Sequence, residues 1–390
     1  MPWKEVSAMD QRREFVGLAM HEGANVRELC RRFGISPAIG YKWLRRWKEG
    51  DRELADRSRR PHTNPGRSDA VTEQRVLAVR DRHPAWGARK IVRCLDREGS
   101  DAPARSTAHE ILRRNGRMVP PIGSPAPFER FEKPSPNLLW QMDFKGWVAL
   151  ANGERCHPLT AVDDHSRYAI CLSACANEQE TTVRKALERT FCHYGLPDAI
   201  FVDNGSPWGD SSGQHFTRFG VWLIKLGVDL LHSRPYHPQS RGKNERFHRT
   251  LKAEVFALRR FRNLAEVQRA FDAWRAVYNL DRPHEALGQE VPASRYRVSP
   301  RQMPNRLAVI EYDEHEIVRT VPATKDYIRF RGRQWLVPRA FRGERVAIRP
   351  LSIDGHYGIF FGSRQIANID LTASQSVSDV LGQVSAMSPG

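Results

Sequence analysis

No apolar run in this 390-residue sequence approaches the ~18 residues of a membrane-spanning helix, and its first residues lack the apolar centre of a secretory signal. These absences make a cytoplasmic location the expectation, with no membrane partner. Cysteine is scarce: Cys30, Cys94, Cys156, Cys171, Cys175 and Cys192 include no CxxC pair, which argues against a zinc ribbon and a disulfide framework and for reduced, mostly buried thiols. No long heptad zipper is present either. Acid is the other shortage, with 45 Asp and Glu against 62 Lys and Arg and a net charge of +17. That excess favours nucleic acid or another anionic surface as partner. It is uneven: +10 over residues 1–120, −3 over 121–230, +7 over 231–300 and +3 over 301–390. A slightly acidic segment flanked by basic ones suits a metal-binding stretch between phosphate-gripping surfaces, although solvated surface charge alone gives the same pattern.

The length implies several domains. In residues 25–47, Asn25 can cap a helix carrying Val26, Leu29, Cys30 and Phe33, and Gly34 can end it. Ser36 and Pro37 then open a second helix with Ile39, Trp43, Leu44 and Trp47 as its buried stripe. Two helices and a short turn read as a helix-turn-helix in a domain over 1–54, leaving Tyr41, Lys42, Arg45 and Arg46 for DNA; an ordinary helical hairpin is the plainer alternative. Residues 55–70 read as a basic linker whose Arg59 and Arg60 can track a phosphate backbone. A second helix-turn-helix-like domain is expected over 71–116, with a stripe through Val76, Val79, Ile91 and Leu95 and a capping box from Thr107 to Glu110. Six prolines within 117–137 make that stretch a linker.

Over 138–290 the pattern becomes three strands followed by alternating helices and strands, which implies a mixed sheet covered on both faces. Strands are expected at 138–150, 157–164, 168–175, 198–203 and 228–233, and helices at 180–194, 213–226, 242–260 and 264–279. Residues 307–371 alternate over short runs, with Asp354-Gly355 as a hairpin signal, and read as a small β-barrel; 372–390 reads as a mobile tail.

Three carboxylates stand out in this frame. In WQMDFKG, Asp143 lies on the strand face opposite Trp140, Met142 and Phe144. In IFVDNGSPWG an apolar strand runs into Asp203 and a turn, where open α/β sheets place ligands. In YHPQSRGKNERFHRTLK, Glu245 is the lone acid among Arg241, Lys243, Arg246, Arg249 and Lys252. An i,i+4 pair with Arg249 would explain it as a helix salt bridge. Alternatively, two aspartates and a glutamate can converge on two Mg²⁺ ions, with Mn²⁺ as substitute, for in-line phosphoryl transfer. Singly, each residue also has an ordinary structural explanation.

Together WQMDFKG, AVDDHSRY, FVDNGSPW and YHPQSRGKNERFHRTLK resemble the catalytic core of integrase-type DDE transposases of bacterial insertion sequences, with retroviral integrases as more distant relatives. The resemblance covers about 135–290 and implies a ribonuclease H-like α/β core between all-α helix-turn-helix modules and the C-terminal barrel. It implies Asp143, Asp203 and Glu245 as metal ligands and catalytic residues, and a structural role for Asp163 and Asp164. Forty-one residues lie between Asp203 and Glu245, more than in retroviral integrases, and no His-His-Cys-Cys zinc module is present. Lys243, Asn244, His248, Arg249 and Lys252 are expected to approach DNA beside Glu245, with Arg241 just before them. The implied activity is binding of terminal inverted repeats, 3′-end cleavage and strand transfer into target DNA. Double-stranded DNA, a homodimer or larger homo-oligomer and a nucleoid-associated location follow. A decayed, DNA-binding remnant and a ribonuclease H-like nuclease without a joining step are the rival readings. Trp208 and Trp222 are expected in the core.

Overall fold

The computed structural model describes residues 7–57, 67–118, 132–209, 216–232 and 242–372. One compact unit ends at Arg67 and a second begins at Ser68. The first contains α1 (Ala8–Ala19), α2 (Val26–Arg32) and α3 (Pro37–Lys48). Ser7, Asn25 and Ser36 cap them by accepting the N–H groups of Asp10, Glu28 and Ile39, which satisfies donors that a helix start otherwise leaves open. Gly34, at φ +64°, makes the left-handed turn between α2 and α3. The buried stripe of α3 differs from the expected one. Ile39 is 44% exposed, whereas Gly40 lies against Cys30 Sγ and the Phe15 ring, so the helix is rotated to seat its smallest residue at the closest approach. Trp43 and Leu44 complete this small core with Phe15, Val16 and Cys30.

The second unit opens with α4 (Ala70–Arg82), α5 (Ala88–Arg97) and α6 (Arg105–Arg114), packed around Val76, Val79, Trp86, Ile91, Leu95 and Ile111. The capping box does not form. Helix α6 starts at Arg105 behind Ala104, which places Thr107 inside it, and Glu110 instead accepts hydrogen bonds from Arg113.

Next come β1 (Trp140–Phe144), β2 (Val148–Ala149), β3 (Arg155–Asp163), β4 (Ala169–Cys175), α7 (Glu180–Tyr194), β5 (Ala199–Val202), α8 (Arg218–Lys225), β6 (Asp229–His232), α9 (Gly242–Leu251) and α10 (Leu264–Leu280). A π-helical turn, Lys252–Phe256, extends α9. The sheet order is β4-β3-β1-β5-β6, with β2 beside β3. Strands β3 and β4 run antiparallel in the β1 side of the sheet, and β1, β5 and β6 run parallel. Trp140, Met142, Ile200 and Val202 face one core with α7 and α8, while Val162, Ala169 and Leu172 face another with Phe247 and Leu251 of α9 and Phe271 of α10. Trp208 and Trp222 belong to the first core, 2% and 3% exposed. This mixed sheet with helices on both faces has the architecture of a ribonuclease H-like core.

The C-terminal strands are β7 (Ile317–Thr320), β8 (Tyr327–Phe330), β9 (Arg333–Leu336), β10 (Arg345–Pro350), β11 (His356–Phe361) and β12 (Arg364–Asp370). Gly355, at φ +77°, turns β10 into β11. The expected barrel is not closed: β12-β11-β10-β7 form an open sheet and β8-β9 a separate hairpin. Closure is unnecessary because the apolar face is completed from outside, by Val221 and Ile224 of α8 and by Phe216. Among the described residues no helix is long and apolar enough to cross a membrane.

Candidate functional site

The sheet register puts two of the three carboxylates at the same end of neighbouring parallel strands. Trp140 pairs with Ile200 and Gln141 with Phe201 in the parallel β1-β5 ladder; Asp143 lies two residues past the last pair on β1, and Asp203 follows directly on the last residue of β5. Ile200 and Val202 point into the first core, so alternation turns Phe201 and then Asp203 to the opposite face. Gln141 and Asp143 occupy that same face of β1, on the side where α9 packs. The turn after Asp203 is local chemistry: its Oδ1 accepts the Gly205 N–H at 3.0 Å, and its carbonyl bonds His232 Nδ1 at 3.0 Å.

Helix α9 is attached to this face at two points. Near its start, Lys243 forms an ion pair with the fully buried Asp164, whose Oδ1 also accepts from Gln141 Nε2 at 2.7 Å and whose Oδ2 accepts the Lys133 N–H at 2.8 Å. Further along, His248 Nε2 meets Thr160 Oγ1 at 2.8 Å, and that hydroxyl donates to the Asp143 carbonyl at 2.9 Å. Glu245 lies between these attachments in sequence, on an exposed stripe with Arg249 and Lys252, and Arg246 is exposed beside it. It makes no ion pair with Arg249 among the described residues, so the salt-bridge explanation of this acid does not hold here. The neighbouring charges are positive. Burial and then the Lys252 charge hold the Lys145 ammonium below its usual range, and burial and then Lys145 push the His248 imidazole down to about 4.

Several expected DNA contacts are placed otherwise. Arg46 is 5% exposed, bonded to Asp51 and to the Ala55 carbonyl at 2.8 Å, because the outward positions of α3 belong to Tyr41, Lys42 and Arg45. Lys243 turns inward to Asp164; Asn244 is 3% exposed, its Oδ1 buried with no hydrogen-bond partner among the described residues. His248 is a packing and positioning group between α9 and the sheet. Arg249 and Lys252 remain exposed. Arg59, Arg60 and Arg241 lie outside the described residues. Asp163 and Asp164 are fully buried; Asp163 accepts from Ser166 and from the Asn137 N–H at 2.7 Å, and burial raises its pKa despite those bonds. The sequence reading did not single out Thr160, since its link to Asp143 depends on strand pairing, and that pairing has no local signal.

Among the described residues, no three His, Cys, Asp or Glu side chains are gathered closely enough to hold a metal ion. The donor set nevertheless suits a hard divalent cation. Asp143 and Asp203 lie at the same end of neighbouring strands, and Glu245, with no ion pair among the described residues, is exposed on the helix tied to that sheet.

The two neutral histidines give a pH prediction. His248 is lowered to about 4, and burial followed by Arg282 lowers His284 to about 2. Both folded values lie below the unfolded ~6.5, so the unfolded chain takes up these protons first. Stability is therefore full above pH ~6.5 and falls on acidification, by roughly 1.4 kcal/mol per pH unit for each histidine until it protonates in the fold. Thermal melts from pH 7.5 to 5 check this: His248→Gln should flatten the slope, and an unchanged slope would refute the assignment.

Known proteins share this organisation. Integrase core domain models match residues 133–238 and 226–292, an IS481 family transposase C-terminal domain matches 316–377, a homeodomain-like domain 39–112 and a helix-turn-helix domain 11–62. The chain is 30% identical over 158 residues to the 39.2 kDa protein of insertion element IS476 from Xanthomonas euvesicatoria, covering 40% of this chain and 44% of that one. It is 27% identical over 237 residues to the 31.7 kDa protein of insertion element IS407 from Burkholderia multivorans, covering 59% and 82% respectively. A magnesium complex of the HTLV-2 integrase catalytic core aligns at 16% identity over 42% of this chain and 99% of that one, with a TM-score of 0.32, too loose to add to the topology itself. The matches to integrase cores fall on the sheet bearing Asp143 and Asp203, and the match to an IS481 family transposase domain falls on the sheet that follows it; together with the insertion-element relatives they support an integrase-type transposase of the insertion-sequence kind.

Proposed function

We propose that this chain binds the terminal inverted repeats of its own insertion sequence, cleaves the 3′ ends and joins them to target DNA. What supports the reading is that Asp143 near the end of β1 and Asp203 just past the end of β5 lie at the same end of neighbouring parallel strands, and that the helix bearing Glu245 is tied to Asp164 and Thr160 beside β1. Two Mg²⁺ ions, or Mn²⁺ in their place, would be held by these three carboxylates and would stabilise the attacking and leaving oxygens of an in-line displacement. The chain's own groups do the rest. Thr160 and His248 fix the distance between α9 and β1, and Arg249 and Lys252 neutralise and position the phosphate backbone without reading bases. Two ends must be held for one joining event, so the working species is a homodimer or larger assembly. The test is to incubate the purified chain with labelled DNA from both flanks of its gene and with Mg²⁺ or Mn²⁺, and to map nicked and joined products. Joined strands at repeat ends support the reading. Cuts without joining point to a nuclease, and binding without cleavage by a folded chain points to a DNA-binding remnant.

The first unit supplies a second test. Lys42 and Arg45 are exposed on α3, whereas Arg46 is locked to Asp51. Replacing Lys42 and Arg45 by Ala should weaken binding to end DNA and reduce the logarithmic salt slope by roughly 0.9 per lost phosphate contact. Arg46→Ala should lower the melting temperature and leave the slope intact. Equal slopes in wild type and the double variant would move recognition elsewhere.

A further inference from the structure

By composition α5, ARKIVRCLDR, is a nucleic-acid-binding helix, yet its arginines are bonded to partners on the protein, even though Arg89 and Arg97 stay exposed. Arg89, Arg93 and Arg97 recur at i, i+4 and i+8, which puts them on one ridge. Arg89 pairs with Glu285 at 2.5 Å and Arg93 pairs with Glu290. Arg97 donates to the carbonyls of Leu280 and Asp281 at 3.3 and 3.2 Å, where the end of α10 leaves acceptors unfilled and partial negative charge exposed. Val277 of α10 joins the apolar cluster of the helical module itself, beside Leu77 and Val92. The contact therefore combines an apolar patch with three cationic fastenings.

What this ridge grips is tied onward to the candidate site. Asn279 of α10 bonds both backbone groups of Ala169 in β4, at 2.8 and 3.1 Å. Arg282 pairs with Glu254, both largely buried, and Glu254 belongs to the π-helical turn that continues α9 from Glu245. Helix α6 exposes Arg105, His109 and Arg113, again at i, i+4 and i+8, with Arg113 also bonded to Glu110. One helix of the module is thus committed to the core and another presents a basic ridge outward.

We propose that α5 is a docking helix rather than a DNA contact, and that its arginine ridge sets the distance between DNA lying along α6 and the phosphodiester that is cut. The inference rests on the transposase reading above, and the two can fail separately. Surface ion pairs of this kind are individually weak, so the informative variant reverses charge and makes the interface repulsive. The full chain is compared with Arg89→Glu/Arg93→Glu and with that pair combined with Glu285→Arg/Glu290→Arg. End-DNA affinity across salt, hydrogen exchange of the α5 amides and the nucleotide position of the cut are measured for each.

The reversal should speed α5 exchange at least about tenfold, keep the salt slope and spread the cut over several nucleotides. The charge swap should restore both slow exchange and a single cut position. A salt slope reduced by roughly two in the reversal, and not restored by the swap, would mean that the ridge touches DNA and would overturn the proposal. A single unchanged cut position in the reversal would overturn the distance-setting role alone. A wild-type chain that binds its ends and never cuts would overturn the proposed function, and this role with it.

Discussion

Glu245→Gln is expected to reduce strand joining by roughly 10³-fold or more, about 4 kcal/mol of transition-state stabilisation at 1.36 kcal/mol per decade. The substitution keeps the side chain's size and removes the charge that a hard cation requires. Glu245 is exposed and without an ion pair among the described residues, so the fold should be indifferent to the change. DNA affinity should stay level or rise slightly, because a negative charge leaves a stripe otherwise occupied by Arg249 and Lys252. That divergence between binding and joining is the signature. Asp143→Asn and Asp203→Asn should give the same split. Joining within tenfold of wild type in Glu245→Gln, at equal protein and metal concentration, would remove this residue from the reaction.

Asp164→Ala is expected to act through structure, with an effect almost as large. The carboxylate is fully buried and holds three partners from separate segments: Lys243 on α9, Gln141 on β1 and the Lys133 N–H. Its removal takes from the partly buried Lys243 ammonium the carboxylate it pairs with, and breaking such a buried pair costs about 3–5 kcal/mol. Melting of the second unit should shift down accordingly, and joining should fall even at temperatures where the chain remains folded, because the Glu245 helix loses one of its two fastenings. Asp164→Ala with Lys243→Met should recover much of the stability, since removing both partners leaves no orphaned charge. The account would be sunk by Asp164→Ala melting within about 0.5 kcal/mol of wild type, the range of an ordinary surface change.

Asp203 was legible in the sequence because an apolar strand ends on it and a turn begins, a signal contained in a few adjacent residues. Asp143 was legible by alternation along one strand. Glu245 could be singled out only by its surroundings. What misled was residue type without burial: Arg46, Lys243 and Asn244 have the chemistry of DNA ligands, but Asp164, which turns Lys243 inward, lies 79 residues away from it. The phase of α3 departs from its apolar pattern for a similar reason. Ile39 is the apolar residue, yet Gly40 faces the core, because close approach to Phe15 and Cys30 rewards the absence of a side chain. The alternation of the C-terminal strands was correctly suggestive of sheet, but whether a sheet closes depends on what else covers its face.

That covering carries a consequence for how such a chain is assembled and inherited. Val221, Ile224 and Phe216 belong by sequence to the catalytic segment and by packing to the C-terminal sheet, with Lys225 paired to Glu344 at 2.6 Å and Asp229 to Arg364 across the same border. The line at which a sequence would be cut into modules therefore runs through an apolar core. A terminal sheet acquired from another element would have to arrive with a surface already shaped to α8, so exchange between lineages should be easiest for the pair as one piece.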